Sequence, residues 1–392
     1  MTLRSATFAR ALRLTAGLAL ALPAAALAQY PTAKLQGRLQ PELRTSDITT
    51  PGVNTVPGSE FLLRRAYIEF SAQLAENVRS KVEVNATRRA VNLEDAWLEV
   101  DLGKYVTWRA GQEKKPVERL EIMSSSTYPV VERGAAVAGL KTPNLVSQNN
   151  FLTAAGFTAH DVGTSVLLHT RDSAAVPVSL RLGVWDGQGK DNAEVNSAKT
   201  FGARLVVNPM PALSLGASFV SHDDPVSVKS GTTTVVAADS APRSNAFGLD
   251  GEWGTMDRGL HVVADAAFGR QSHAGALVST IAGLRPVAVP AGTTIEPRFR
   301  TFHVVGEYKV LLGENPFVQA VGPVFRWDRT TPDTENGGIA STLLTPGVNV
   351  YFSPKAWLMV NYDVLKPGDG LDLGRGAGQD VHSFKTMMRI FF

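Results

Sequence analysis

Five basic side chains, Arg109, Lys114, Lys115, Arg119 and Arg133, crowd a stretch that also carries Glu113, Glu118, Glu121 and Glu132. Arginine presents a planar fork of donors that matches an oxyanion, so such a run suits weak, repeated contact with a passing anion rather than one tight site. The four acids read equally well as partners that neutralise the bases in pairs. Covalent chemistry has less to stand on. His160, His169, His222, His261, His273, His303 and His382 are scattered, and none has a Ser or Asp beside it in a nucleophile setting. His222-Asp223-Asp224 is the most tempting metal or acid cluster, but Pro225 and the polar residues after it make it read as a solvated loop end. Gly187-Gln188-Gly189 and Gly368 to Gly378 follow strands with no helix after them, which removes the context of a phosphate cradle. No catalytic, cofactor-binding or metal site is expected, and no cofactor.

The elements that carry these residues alternate in character. Along 77–87, Val78, Ser80, Val82, Val84 and Ala86 fall on one face, and Arg79, Lys81, Glu83, Asn85 and Thr87 on the other, a period of two. Ala66, Ile68, Phe70, Ala72 and Leu74 likewise alternate with Arg65, Tyr67, Glu69, Ser71 and Gln73, and Leu98, Val100 and Leu102 with Trp97, Glu99 and Asp101. Alternation by itself fits a soluble sandwich as well as a membrane wall.

The N-terminus favours export. Met1 to Ala28 has Arg4, Arg10 and Arg13, a short apolar run from Ala16 to Leu22, and Ala26-Leu27-Ala28 before Gln29, the pattern of a cleavable secretory signal. The run is too short to span a bilayer as a helix, and none later is longer, so insertion requires strands. The formal charge of +3 belongs to the three leader arginines; the remaining chain is formally neutral and has no basic tail, which argues against a nucleic-acid partner. The absence of cysteine excludes a disulfide framework.

Strand patterns recur from Ala33 to the C-terminus and number sixteen, an even count, over a single domain at 29–392. Turns are expected at Ala90-Val91 and at Asn208-Pro209-Met210-Pro211, and Gly322 and Pro323 break the alternation of Pro316 to Asp328. Short and long connections tend to alternate, as in outer-membrane barrels with short periplasmic turns and long outer loops. The longest, from Glu113 to near Asp161, lacks strand alternation, and a connection of that length is functional or disordered. The last strand places Phe384, Met388, Ile390 and Phe392 opposite Lys385 and Arg389.

Several segments resemble the phosphate-selective porins O and P family. They are Phe61 to Phe70 with its Arg64-Arg65 pair, Trp108 to Pro116, Val131-Glu132-Arg133, Leu182 to Gly189 followed by Asn196, Lys199 and Gly202-Ala203-Arg204, and, more weakly, Arg326 to Arg329. The resemblance implies an all-β, sixteen-stranded antiparallel transmembrane barrel with an inward-folded third loop that narrows the pore. It also implies a homotrimer in the bacterial outer membrane, in contact with its lipid and inserted by the barrel-assembly machinery. The wall departs from a phosphate-selective pattern: inward Arg65, Arg79, Lys81, Arg181 and Arg204 are matched by inward acids such as Glu69, Glu83, Asp95 and Glu99.

The expectation is a passive porin, not an enzyme, for small hydrophilic solutes, with a modest preference for anions such as phosphate carried by Arg109, Lys114, Lys115, Arg119 and Arg133. The alternatives are an outer-membrane β-barrel enzyme of lipase or protease type, and a soluble exported β-rich binding protein.

Overall fold

The computed structural model describes residues 30–48, 58–87, 90–170, 174–190, 192, 198–222, 226–230, 233–237, 243–272, 276–290, 295–313 and 315–392. The signal-like segment 1–28, Asn196, Asp223, Asp224 and His273 lie outside them. The wall begins with β1 (Thr32–Thr45), β2 (Ser59–Ala75), β3 (Val78–Thr87), β4 (Ala90–Asp101) and β5 (Val106–Lys114). After the connection 115–159 come β6 (His160–His169), β7 (Val178–Trp185), β8 (Thr200–Met210) and β9 (Leu213–His222). It continues with β10 (Ser244–Trp253), β11 (Gly259–Arg270), β12 (Arg298–Leu311) and β13 (Ala320–Thr331). β14 (Ser341–Ser353), β15 (Ala356–Pro367) and β16 (Val381–Phe391) complete it.

Each strand pairs antiparallel with the next, and β1 also pairs with β16, which closes a sixteen-stranded barrel. At the seam Gly37 and Phe392 exchange two backbone hydrogen bonds of 2.9 and 3.1 Å. Closure matters in lipid, because an open edge would leave peptide groups without partners. The pleat sorts the faces as the alternation predicts: Ile68, Phe70, Val82 and Leu98 are exposed on the outside, and Glu83, Glu99 and Thr107 are buried inside. Charged and polar side chains therefore face the lumen, and aliphatics face hydrocarbon.

Local details differ from the sequence reading. Ala90 and Val91 open β4 and pair with Thr87 and Ala86, so they belong to the strand and not to a turn. Asn208 to Met210 remain in β8, beside a register shift between Val207 and Met210 that accommodates Pro209. Gly322 and Pro323 pair regularly with Asn349 and Val348, and burial alternates through β13, which starts at Ala320 and leaves Pro316 in the preceding turn. Proline is tolerated there because the ladder with β12 passes from Val324 to Val321 with no pair at Gly322 and Pro323, so its missing N–H breaks no pairing on that side. The connection 223–243, read as a polar loop, contains a hairpin that pairs Val226–Ser230 with Thr233–Ala237.

A bulge in β4 has functional weight. Val82 lies opposite Ala96 but Val84 opposite Leu93, so one extra residue is accommodated and Glu94 joins Asp95 on the lumen side. The partner strand complements the bulge at Gly111, whose φ of 126° and whose close approach to the Ala96 carbonyl exclude any side chain. The segment Leu182 to Gly189 is explained in the same terms. Trp185 is buried in the lumen with its ring over Gly183 and Gly202, where a Cβ would come within 2.2 and 3.0 Å of it.

Candidate functional site

The connection 115–159 is irregular backbone, and every peptide group it buries needs a partner. Inward wall side chains supply many of them. Arg326 donates to the carbonyls of Glu132 (2.7 Å) and Arg133 (3.0 Å), Arg389 to those of Tyr128 (2.6 Å) and Val130 (3.2 Å), and Asn349 to that of Pro129 (2.8 Å). In the other direction the Val131 N–H donates to Asn361 Oδ1 at 2.7 Å and the Arg119 N–H to Asp265 Oδ1 at 2.8 Å. These partners stand on β11 to β16, so the segment lies inside the barrel against that part of the wall.

Apolar contacts reinforce the placement. The one-turn helix α1 (Arg119–Ile122) sets Leu120 into a cluster with Tyr128, Val130, Val263, Val305 and Val324. Helix α2 (Gln148–Ala154), capped by Ser147, buries Phe151 and Leu152 in a second cluster. That cluster takes in Phe157, inward Val220, Ala246, Ala267 and Phe299, and Leu277 and Ile281 of helix α3 (Ala276–Gly283). The Gln148 N–H at the start of α2 is shared between the two Asp328 carboxylate oxygens, each at 3.1 Å. A dry core inside a barrel was not anticipated from the alternation.

What remains open is a passage between this packed segment and β1 to β8. Its outer chamber, about 570 Å³, is lined by Arg38, Lys81, Lys114, Arg133 and Lys190 together with Glu83, Glu94 and Glu121. The middle, about 440 Å³, is flanked by Lys81, Arg109, Lys114, Arg181 and Arg204 and by one acid, Asp95. An inner vestibule of about 650 Å³ carries Arg79, Lys104, Arg109 and Arg181 beside Glu99 and Asp101. Shared residues, Lys81, Asp95 and Lys114 above and Arg109 and Arg181 below, set these three spaces one after another along the lumen.

The five bases of the loop stretch separate by role. Arg109 and Lys114 line the route; Arg109 pairs with Glu99 and, at 3.1 Å, Glu113, and lies 4.1 Å over the Trp97 ring. Arg133 lines the outer chamber and donates to the carbonyls of Leu120 (2.9 Å) and Met123. Arg119 instead reaches across to Asp250 (2.9 Å) and Glu252 (2.7 Å) and clamps the segment to β10. Lys115 is 2% exposed in an ion pair with Asp161 at 2.9 Å, away from solvent.

The wall bases are paired as well. Lys81 lies 2.9 Å from Asp95 and 3.1 Å from Glu69, Arg79 2.8 Å from Glu99, Arg181 2.7 Å from Glu113, Arg204 2.6 Å from Asp250 and Arg65 2.9 Å from Glu132. Among the loop acids, burial alone would raise Glu132, but Arg64 and Arg65 outweigh it and hold the carboxyl well below the usual range. Glu121 is similarly buried, yet Lys114, Arg133 and Asn149 lower it to about 2. Glu118 goes the other way: burial, with the carboxylates of Asp265 and Glu121 nearby, pushes it well above the carboxylate range. Burial likewise raises the Tyr128 phenol, whose oxygen lies 2.9 Å from His303 Nε2.

Other lumen residues escaped the sequence reading. Glu94 receives Lys190 and approaches His160 Nδ1 at 3.5 Å, with Asp95 3.3 Å from its Nε2. Only the bulge, which period-two reading passes over, brings Glu94 inside. His222 corrects the reading of a solvated loop end: it is fully buried, with Nδ1 2.7 Å from Thr200 Oγ1. Among the described residues no group of His, Asp and Glu is arranged to hold a metal ion.

The arrangement has close parallels in fold. OmpT of Vibrio cholerae, in a trimer form, aligns with a TM-score of 0.57 at 13% identity, covering 93% of this chain and 100% of that one. The anion-selective porin of Comamonas acidovorans aligns at 0.61 and 10% identity, covering 93% and 100%. The outer-membrane channel DcaP of Acinetobacter baumannii aligns at 0.55 and 11% identity, covering 92% and 97%. At such identities the likeness speaks for the fold. No curated protein matches the chain. The family model for phosphate-selective porin O and P matches residues 34–246, more than half of the sequence and all of the stretch from β1 through the packed segment to β9. A closed sixteen-stranded barrel, a charged lumen and that match together make the chain a porin of the bacterial outer membrane, a member of the phosphate-selective porin O and P family.

Proposed function

We propose that this porin passes small hydrophilic solutes with a modest preference for anions, set in the middle of the passage by Lys81, Arg109, Lys114, Arg181 and Arg204. The observation that carries this reading is their number against the single acid Asp95 in the lining of the middle space. Each base is held by a carboxylate, so it serves as a fixed donor that is partly neutralised, which suits fast transit better than retention. Arg133 belongs to the entrance, whereas Arg119 and Lys115 act as anchors of the segment, which thereby serves as the inward third-loop constriction. Transport without catalysis, a homotrimer and a cleaved leader at residues 1–28 complete the reading; the trimeric OmpT barrel supports the oligomer.

The test is the reversal potential of single channels in a KCl gradient, with and without phosphate. The wild type is expected to prefer anions several-fold or less, and Lys114→Glu with Arg181→Glu is expected to reverse the sign. A cation-selective wild type, or a double variant of unchanged selectivity, overturns the assignment and leaves a general porin.

A further inference from the structure

The outer surface near the extracellular ends of β9 to β12 carries a feature that transport does not use. Phe219, Phe247 and Phe268 stand side by side on the lipid face, with ring centroids 4.9 and 5.8 Å apart, and border a groove of about 740 Å³. The aromatic rings are about half exposed at Phe247 and Phe268. Above them, toward the long outer connections, lie Arg270, Arg298 and Arg300 on the same face.

Their placement is electrostatically unfavourable without a counter-charge. Arg270 is directly opposite Arg298 in the β11–β12 ladder, and like charges so placed repel. Glu296 answers only Arg270, at 2.6 Å. Arg298 and Arg300 are exposed and have no side-chain partner among the described residues. Two arginine forks spaced along one strand over an aromatic slot match a ligand with anionic oxygens at one end and hydrocarbon at the other.

We infer that this groove is a binding site for a phosphorylated acyl lipid of the outer leaflet, with its phosphate between Arg298 and Arg300 and an acyl chain along Phe219, Phe247 and Phe268. Such a site belongs at the level where headgroup meets hydrocarbon, the only depth at which both halves are satisfied. A second copy of the chain is the competing occupant; in a trimer the contact is heterologous, so a copy seated here would have to bring carboxylates from another face to Arg298 and Arg300.

Native mass spectrometry of the detergent-purified protein, titrated with diphosphorylated lipid A and with the same lipid dephosphorylated, tests the site. The wild type is expected to bind the phosphorylated form at least tenfold more tightly, and Arg298→Glu with Arg300→Glu to reduce that ratio below twofold. Phe247→Ala is expected to weaken both forms alike. Conductance and heat-modifiable gel mobility should be unchanged in the arginine variant; if it fails to assemble, Arg298→Gln with Arg300→Gln gives the same reading. Equal binding of the two lipids by the wild type, an undiminished ratio in the arginine variants, or a photo-crosslinker at Phe247 that captures a second copy instead of lipid overturns the inference.

Discussion

The two sides of the lumen are built from the same alternating strands but do opposite work. Against β11 to β16 the wall is covered: Leu120, Tyr128 and Val130 pack on Val263, Val305 and Val324, and Arg326 and Arg389 spend their donors on backbone carbonyls of the inserted segment. Against β3 to β8 the wall is more open, and Lys81, Arg109 and Arg181 pair with acids while lining the open spaces. An inward arginine is thus a structural tie on one side and a wall of the passage on the other. What separates the two roles is whether a peptide carbonyl or water lies within reach, and sequence pattern does not distinguish them.

The largest test of that contrast is a pair of alanine substitutions. Arg326→Ala removes a 1% exposed cation that bridges the Glu132 and Arg133 carbonyls, Thr345 and Asp363. Breaking a buried pair of this kind costs about 3–5 kcal/mol. Denaturant unfolding in lipid vesicles should show that loss, accompanied by noisy, enlarged single-channel currents as the segment loosens. Arg181→Ala, on the open side, should cost clearly less, because Arg181 is itself part-exposed and its partner Glu113 keeps Arg109. Similar costs at both positions would erase the distinction.

Smaller effects sharpen the inside-outside division on the open side. Val82→Arg places a charge in hydrocarbon and should cost roughly 2–4 kcal/mol near the midplane, read as impaired assembly. Thr107→Arg, inside β5, should assemble normally and shift conductance. Damage of equal size would mean the faces are reversed.

The finest probe is pH. Glu118 has a folded pKa raised above its ordinary 4.5, so between the two values the folded state holds a proton that the unfolded chain has lost. Its contribution is complete below about 4.5 and declines as pH rises toward the folded value. The groups that set it, Asp265, Glu121, Asp328 and Asn149, come from the wall and the segment alike. Glu118→Gln should therefore stabilise the protein at alkaline pH and change little at pH 4, measured by unfolding at the two values. Glu121, lowered to about 2, works oppositely: its stabilisation is present above 4.5 and lost as pH falls toward 2. A Glu118→Gln benefit that is the same at both pH values would show that the pKa of the carboxyl is not raised in the fold.

The sixteen strands, their faces and the length of the third connection could be read from the chain itself, because a period of two is a local property and each strand carries its own evidence. The glycines under Trp185 and the Arg64-Arg65 pair were visible as motifs, and the family likeness rested on them. Three things were settled only by the closed barrel. The β4 bulge turned Glu94 inward, since register is set by the neighbouring strand and not by the strand alone. Lys115 met Asp161, and Arg119 met Asp250, across separations that no window of sequence spans. The inserted segment covered one half of the wall and left the other open, because its apolar residues found Val263, Val305 and Val324 on strands far along the chain. Alternation decides which side chains enter the lumen; contacts between distant residues decide which of them still face water once it is filled.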